Sequence, residues 1–225
     1  MSRRAIFLDR DGTLVHPRHF PSRPEELVLY DDVANRLATL KVAGFALVVI
    51  TNQSGIARGL FTTEALDLMH DHLRAELEAA AARIDGIYVC PHHPHGSLTR
   101  YAIECDCRKP RPGMLQRAAY ELDLDLDRSW FVGDILDDVE AGNRAGCWTV
   151  LVDLGTESRP TDPIRSPAFV GRTTVHALDI IRFMTGIGPP VDVLHVPSGW
   201  DESAGGNTAS RIEPAPSLTA GAMRN

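Results

Sequence analysis

Residues 5–15 read AIFLDRDGTLV. Four apolar side chains, Ala5 to Leu8, run without interruption into Asp9 and Asp11, with Gly12 and Thr13 close behind. So short and wholly apolar a run is the pattern of a strand covered on both faces, as in a parallel sheet flanked by helices. In such sheets ligands gather at the carboxyl ends of the strands. Residues two apart on a strand share a face, so Asp9 and Asp11 are expected to converge while Arg10 points away. A strand that ends in two acids is either a solvated end or a seat for a cation.

The same kind of run recurs along the chain. FALVVI (45–50), GIYVC (86–90), SWFVG (129–133) and WTVLV (148–152) read as further strands. Between them, apolar residues at helical spacing mark helices. One carries Val33, Leu37 and Leu40, with Asp31 and Asp32 able to cap it and Gly44 to end it. A long one runs from Thr62 to Ala82, with Thr62 or Thr63 as cap, and others cover Met114–Leu122 and Val139–Ala145. Strands alternating with amphipathic helices predict an α/β fold, a three-layer, doubly wound parallel sheet of Rossmann-like type. Beyond Asp153 the pattern weakens, with one more helix over Val175–Met184. The expected division is a folded domain over 1–186 and a Gly-, Pro- and Ser-rich tail over 187–225, expected to be disordered unless VDVLHVPSGW (191–200) docks as an edge strand.

The bulk numbers set outer limits. At 225 residues, 44% hydrophobic and 24% charged, the chain is long enough for one well-cored soluble domain. A net charge of -7 argues against a nucleic-acid partner, which normally meets a basic face. It does not argue against a small phosphorylated metabolite, since a few local cations outweigh a weak global field. No apolar run approaches the roughly 20 residues of a membrane helix, and no signal peptide is evident. A cytoplasmic monomer is the expectation. Three of the four cysteines, Cys90, Cys105 and Cys107, lie close in sequence, which in such a chain suggests metal ligation more than disulfides.

Four segments bring chemistry to one sheet edge. The acids of the first run are joined by TNQSG (51–55), which offers a hydroxyl, amides and a glycine turn to phosphate oxygens. RKP (108–110) brings cations after the cysteine loop, and GDILDD (133–138) adds carboxylates after the fourth strand. Singly, each piece is a common turn or cap; their order after successive strands is hard to explain as turns. Cys90-x-His92, twelve residues, then Cys105-x-Cys107 offers three thiolates and an imidazole, a closed tetrahedral zinc set. On chemistry alone, His93 or His95 could replace His92.

FLDRDGT, VVITNQSGIARG, Lys109 and FVGDILDD, in that order, resemble the four motifs of the haloacid dehalogenase superfamily of phosphohydrolases. More narrowly, TNQSGIARG with CPHHPHG and CDCRKPRPGML is similar to the heptose 1,7-bisphosphate 7-phosphatases, a pattern shared in part by histidinol-phosphate phosphatases. The resemblance implies a fold without a large cap and with a zinc-pinned loop over 90–107, in which His92 is the imidazole ligand. It implies Asp9 as nucleophile, Asp11 as acid and base, Thr51 and Lys109 at the phosphoryl group, and Mg²⁺ on Asp9, the Asp11 carbonyl and Asp134. Asp138 would hold Lys109 or a metal-bound water.

Without a cap, recognition falls to loops 16–24, 53–59 and the zinc loop. Asn52, Gln53, Ser54, Arg18, His19, Arg58 and Arg108 are the candidates for substrate contact, beside Thr51 and Lys109. Two departures bear on the substrate: VHPRHFP (15–21) stands where the heptose enzymes carry polar residues, and Ile135 stands where they carry lysine. Two other functions compete. Glu25, Glu26 and His19 could serve the cationic end of histidinol phosphate, and a zinc-stabilised, non-catalytic binding module is the reading from another class. His70 and His72 are expected to be solvated or packed without partners, and Cys147 to be a small apolar residue at a strand start.

Overall fold

The structure, a computed structural model, describes residues 2–195. Six parallel strands, β1 (Ala5–Leu8), β2 (Ala46–Asn52), β3 (Gly86–Cys90), β4 (Trp130–Gly133), β5 (Trp148–Val152) and β6 (Phe169–Gly171), are joined by a short antiparallel β7 (Leu194–His195). The order across the sheet is β3-β2-β1-β4-β5-β6-β7. The order reverses at β1, so the crevice above the carboxyl ends of β1, β2 and β4 is the expected place for a ligand.

Alternation along the strands divides the core in two. Ile6, Leu8, Leu47, Val49, Trp130 and Val132 face one layer, formed by α1 (Val33–Val42), α2 (Thr63–Ala79) and α5 (Thr174–Met184). Ala5, Phe7, Val48, Ile50 and Phe131 face the other, where Met114, Leu115 and Ala118 of α3 (Gly113–Leu122) and Ala141 of α4 (Leu136–Ala145) pack. The expected three layers are present. α2 starts at Thr62, whose hydroxyl accepts from the Ala65 amide at 3.2 Å. Asp32 precedes α1 in a left-handed conformation and makes no capping hydrogen bond, so its expected capping role is not seen.

β6 was not foreseen, and β7 falls in the stretch 191–200 noted as able to dock as an edge strand. β6 is three residues long and β7 two, too short to carry a periodic signal. β7 pairs Leu194 with Val170 and His195 with Phe169, and Val193 is buried in the core. Within the stretch expected to begin a disordered tail, Leu194 and His195 thus pair with the sheet edge and Val193 joins the core. The remainder of that tail lies outside the described residues. Among the described residues no helix is long and apolar enough to cross a membrane.

Candidate active site

The candidate side chains meet at the carboxyl ends of the strands. β1 stops at Leu8, and the Asp9 amide still bonds to the Val132 carbonyl at 3.0 Å, which seats Asp9 between β1 and β4. Lys109 reaches the same point from the loop after β3. Its ammonium donates to Asp9 Oδ1 at 2.6 Å and the Ile50 carbonyl at 3.0 Å, and pairs with Asp138 Oδ1 at 2.5 Å. Three oxygens thus surround the ammonium, two of them as hydrogen-bond acceptors. The side chain is 2% exposed, and its two acidic partners hold its pKa above the usual lysine value despite burial.

Asp134, at the end of β4, completes the floor. Its Oδ1 accepts from the Thr13 hydroxyl at 3.1 Å. A Cβ on Gly12, whose φ is +86°, would lie 2.2 Å from Asp134 Oδ2, so only glycine lets this loop close over the acid. Gly133 is restricted in the same way, since its Cβ would lie 2.3 Å from the Asp138 Cβ. Asp9, Asp134 and Asp138 bring carboxylate oxygens within 4.8 Å of one another. Burial raises all three: Asp134 to about 7, with Asp9 adding to the rise, and Asp138 to about 8. Three buried acids thus face one lysine, a surplus of negative charge on hard oxygens that suits Mg²⁺.

Asp11 faces differently from the strand-parity expectation. The chain has already left the sheet, and Arg10 does not simply point away. It turns back into the protein, is wholly buried and grips the Asp11 carboxylate, with Nη2 2.8 Å from Oδ2. Gln53 Nε2 also donates to Asp11 Oδ2 at 2.8 Å and to Thr51 Oγ1 at 2.9 Å. Thr51 and Gln53 therefore lie in the floor beside Asp11. Asn52, expected at the substrate, is instead committed to the Lys109 backbone: its carbonyl accepts from the Lys109 amide at 3.1 Å and its amide donates to the Lys109 carbonyl at 3.2 Å. It helps to place the lysine.

The rim is built from loops. Cys90, His92, Cys105 and Cys107 gather their ligand atoms within 4.8 Å of one another. Neighbouring pairs stand at 3.6 Å (Cys90–Cys105), 3.2 Å (Cys105–Cys107) and 3.3 Å (His92 Nδ1–Cys107). A tetrahedron with Zn–S near 2.3 Å has S–S edges of about 3.8 Å, so the cluster is the right size for zinc. His93 and His95 are not in it. His93 Nε2 meets Arg58 Nη2 at 3.1 Å instead, and Arg58 lies 5.9 Å over the Phe20 ring. Loops 16–24 and 53–59 and the cysteine loop thus meet at Arg58. Arg108 donates to the His92 carbonyl at 3.2 Å. Burial together with Arg108, Arg58 and His95 pushes His93 below the usual histidine range, a sign that these cations crowd one another. Arg18 and His19 are exposed nearby, and Ser54 is half-buried.

Other expectations change. Val15 is fully buried in the core and does not face a sugar. Glu25 and Glu26 both pair with Arg23, and Glu26 also accepts from the Ser22 and Arg23 amides, so neither stands free for a cationic substrate. His72 pairs with Glu76, whereas His70 is buried against Arg10. Cys147 is buried beside the start of β5, as a small apolar residue would be.

A parallel sheet that gathers an acid pair, a threonine, a buried lysine and further acids at the crevice beside its first strand is the scaffold of a phosphoryl-transferring α/β enzyme. The pattern of the family described as HAD-hydrolase-like matches residues 106–177. The chain is 44% identical over 152 residues to the D-glycero-beta-D-manno-heptose-1,7-bisphosphate 7-phosphatase of Yersinia pestis, covering 67% of this chain and 81% of that one. It is 35% identical over 189 residues to the D-glycero-alpha-D-manno-heptose-1,7-bisphosphate 7-phosphatase of Burkholderia mallei, covering 84% and 97%. Among solved structures, the D,D-heptose 1,7-bisphosphate phosphatase of B. bronchiseptica, complexed with magnesium and phosphate, matches with a TM-score of 0.67 at 32% identity, over 79% of this chain and 97% of that one. The chain belongs to the haloacid dehalogenase superfamily, in its phosphatase branch, and hydrolyses phosphate esters.

Proposed function

We propose that the chain is a Mg²⁺-dependent phosphatase that removes the 7-phosphate of a D-glycero-D-manno-heptose 1,7-bisphosphate through an aspartyl-phosphate. The observation that carries the chemistry is the Asp9–Lys109–Asp138 line at 2.6 and 2.5 Å beside Asp134. Names of relatives at 44% and 35% identity carry the substrate. Asp9 attacks phosphorus as the bond to the sugar oxygen breaks, and Asp11 gives that oxygen its proton. Asp11 then takes a proton from water as the water displaces Asp9 from phosphorus. Thr51 and Lys109 hold phosphoryl oxygens. Asp9, the Asp11 carbonyl and Asp134 would hold Mg²⁺, which supplies charge neutralisation at the phosphoryl group when bound. Cys90, His92, Cys105 and Cys107 would hold a structural zinc, leaving no open position for a reaction there. The rim cations Arg58 and Arg108 would meet the second phosphate, and the pairing of Glu25 and Glu26 with Arg23 weighs against histidinol phosphate.

Phosphate release from the two heptose bisphosphate anomers, histidinol phosphate and simple sugar phosphates tests the reading. The expected result is highest kcat/KM on one heptose anomer, with no turnover without Mg²⁺. Preference for histidinol phosphate overturns it.

A further inference from the structure

One buried guanidinium has no part in the reaction just described. Arg10 is 0% exposed, and its two ends have different partners. Nε lies 3.1 Å from Asp11 Oδ2, and Nη2 lies 2.8 Å from Oδ2 and 3.1 Å from Oδ1. At the far end Nη1 meets His70 Nε2 at 3.3 Å. A guanidinium only donates, so Nε2 is the acceptor and the ring proton of His70 sits on Nδ1. His70 is the one polar residue among the buried positions of α2, whose others are Leu66, Met69, Leu73 and Leu77. A polar side chain in an apolar stripe needs a partner, and α2, fixed in the core by those neighbours, gives Arg10 a rigid anchor. Burial, with Arg10 and Arg74 nearby, lowers His70 to about 3, which keeps the ring neutral and able to accept.

We infer that Arg10 and His70 are positioning residues for the acid–base step: His70 fixes the guanidinium, and the guanidinium, with Gln53, holds the Asp11 carboxylate in one orientation. Asp11 is on a loop and 27% exposed at its side chain, where an unbraced carboxylate has several staggered wells open to it. The contacts are unequal. Oδ2 receives Arg10 Nε, Arg10 Nη2 and Gln53, whereas Oδ1 receives Nη2 alone. The oxygen left with room to carry a proton is Oδ1, and the geometry assigns the proton that passes to the sugar oxygen to it.

The inference rests on the acid–base reading of Asp11, and the test separates the two. kcat/KM reports the reaction only up to loss of the alcohol. An alkyl ester, heptose bisphosphate, needs a proton at that stage; an aryl ester, p-nitrophenyl phosphate, does not. His70→Leu, measured in the full chain with Mg²⁺, is expected to lower kcat/KM for the alkyl ester about tenfold, a fraction of the effect of a whole general acid, and to spare the aryl ester. His70→Gln, whose carbonyl can still accept from Arg10, is expected to restore the alkyl rate. Arg10→Lys, which keeps the charge and loses the second contact, carries the same comparison if His70→Leu does not fold. Equal losses on both esters, or none, overturn the brace. Asp11→Asn is the control: if it is not selective for the alkyl ester, the reading of Asp11 falls, and if it is selective while the His70 and Arg10 variants are not, the brace alone falls.

Discussion

Lys109 and Arg58 are both cations at the same edge of the same sheet, and they live under opposite conditions. Lys109 is buried, its ammonium held among Asp9, Asp138 and a backbone carbonyl. Arg58 is exposed, leaning on His93 and the Phe20 ring from loops that no strand fixes. In the buried floor a charge has strong fields and no freedom, which is what stabilising a transferring phosphoryl group requires. At the rim the same charge is screened and adaptable, which suits recognition. Under the proposed function chemistry and selectivity are separated by depth, and mutations at the two levels should fail in different ways.

The largest expected effect is at the floor. Asp9→Asn should lower turnover by roughly 10⁴-fold or more, the scale on which removing a nucleophile acts, with melting temperature unchanged or raised because a buried charge is gone. Near-normal activity, with deamidation excluded by mass spectrometry, would break the assignment. Next is Lys109→Met, which strands two buried carboxylates. Breaking a buried pair costs about 3–5 kcal/mol, to be read by urea unfolding, and adding Asp138→Asn should recover part of it. If the single change is neutral, the floor is wetter than drawn.

Loss of the rim's anchor comes third. Cys105→Ser should lower zinc content and stability together, and raise KM more than it lowers kcat, because the floor itself is untouched. Elemental analysis finding no zinc in the unmodified protein would remove the structural role. Arg58→Ala should raise KM for a bisphosphate about tenfold, the size of one exposed charge-assisted contact, with kcat preserved. Equal losses for mono- and bisphosphates would detach Arg58 from the second phosphate. Smallest is a pH effect at His70. Its folded pKa, about 3, lies below the unfolded value near 6.5. The unfolded chain then binds the extra proton between those values, so stability is lost as pH falls below about 6.5. At pH 5.5 this amounts to about 1.4 kcal/mol, and a His70→Gln protein should lack that part of the acid slope.

The sequence carried the sheet well because its strands are short apolar runs, most of them buried on both faces, a pattern independent of partners. Ala5–Leu8, Gly86–Cys90 and Trp148–Val152 are strands over the lengths read from their composition. β6 escaped, and β7 was only allowed for, because three residues and two cannot show a period. Asp9, Asp134 and Lys109 were legible from order after strands. Arg10 was not. The parity argument assumed that β1 runs through residue 11, but it ends at Leu8, and beyond a strand end alternation no longer says where a side chain goes. A buried arginine and a histidine in an apolar helix stripe, sixty residues apart, are each unremarkable in sequence. Only their contact gives them a meaning. Asn52 was misread for a related reason: its neighbours in TNQSG suit phosphate, and nothing local shows that its amide is already paired with Lys109.

The hydrogen bond from the Thr174 hydroxyl to the Thr13 carbonyl, 2.7 Å long, spans 161 positions of sequence. A ribosome adding about 5–20 residues per second needs on the order of ten seconds to cover that distance. For most of that interval β1 can pair with β2, but its other neighbour, β4, which starts at Trp130, has yet to be made. The nascent chain therefore presents the apolar edge of its central strand, with Asp9 and Asp11 beside it and neither Lys109 nor β4 to cover that end until later segments emerge. The arrangement that lets one crevice draw on four distant segments leaves a growing chain with an unpaired strand edge, the kind of surface that invites misassociation, until residue 130 and its strand have emerged.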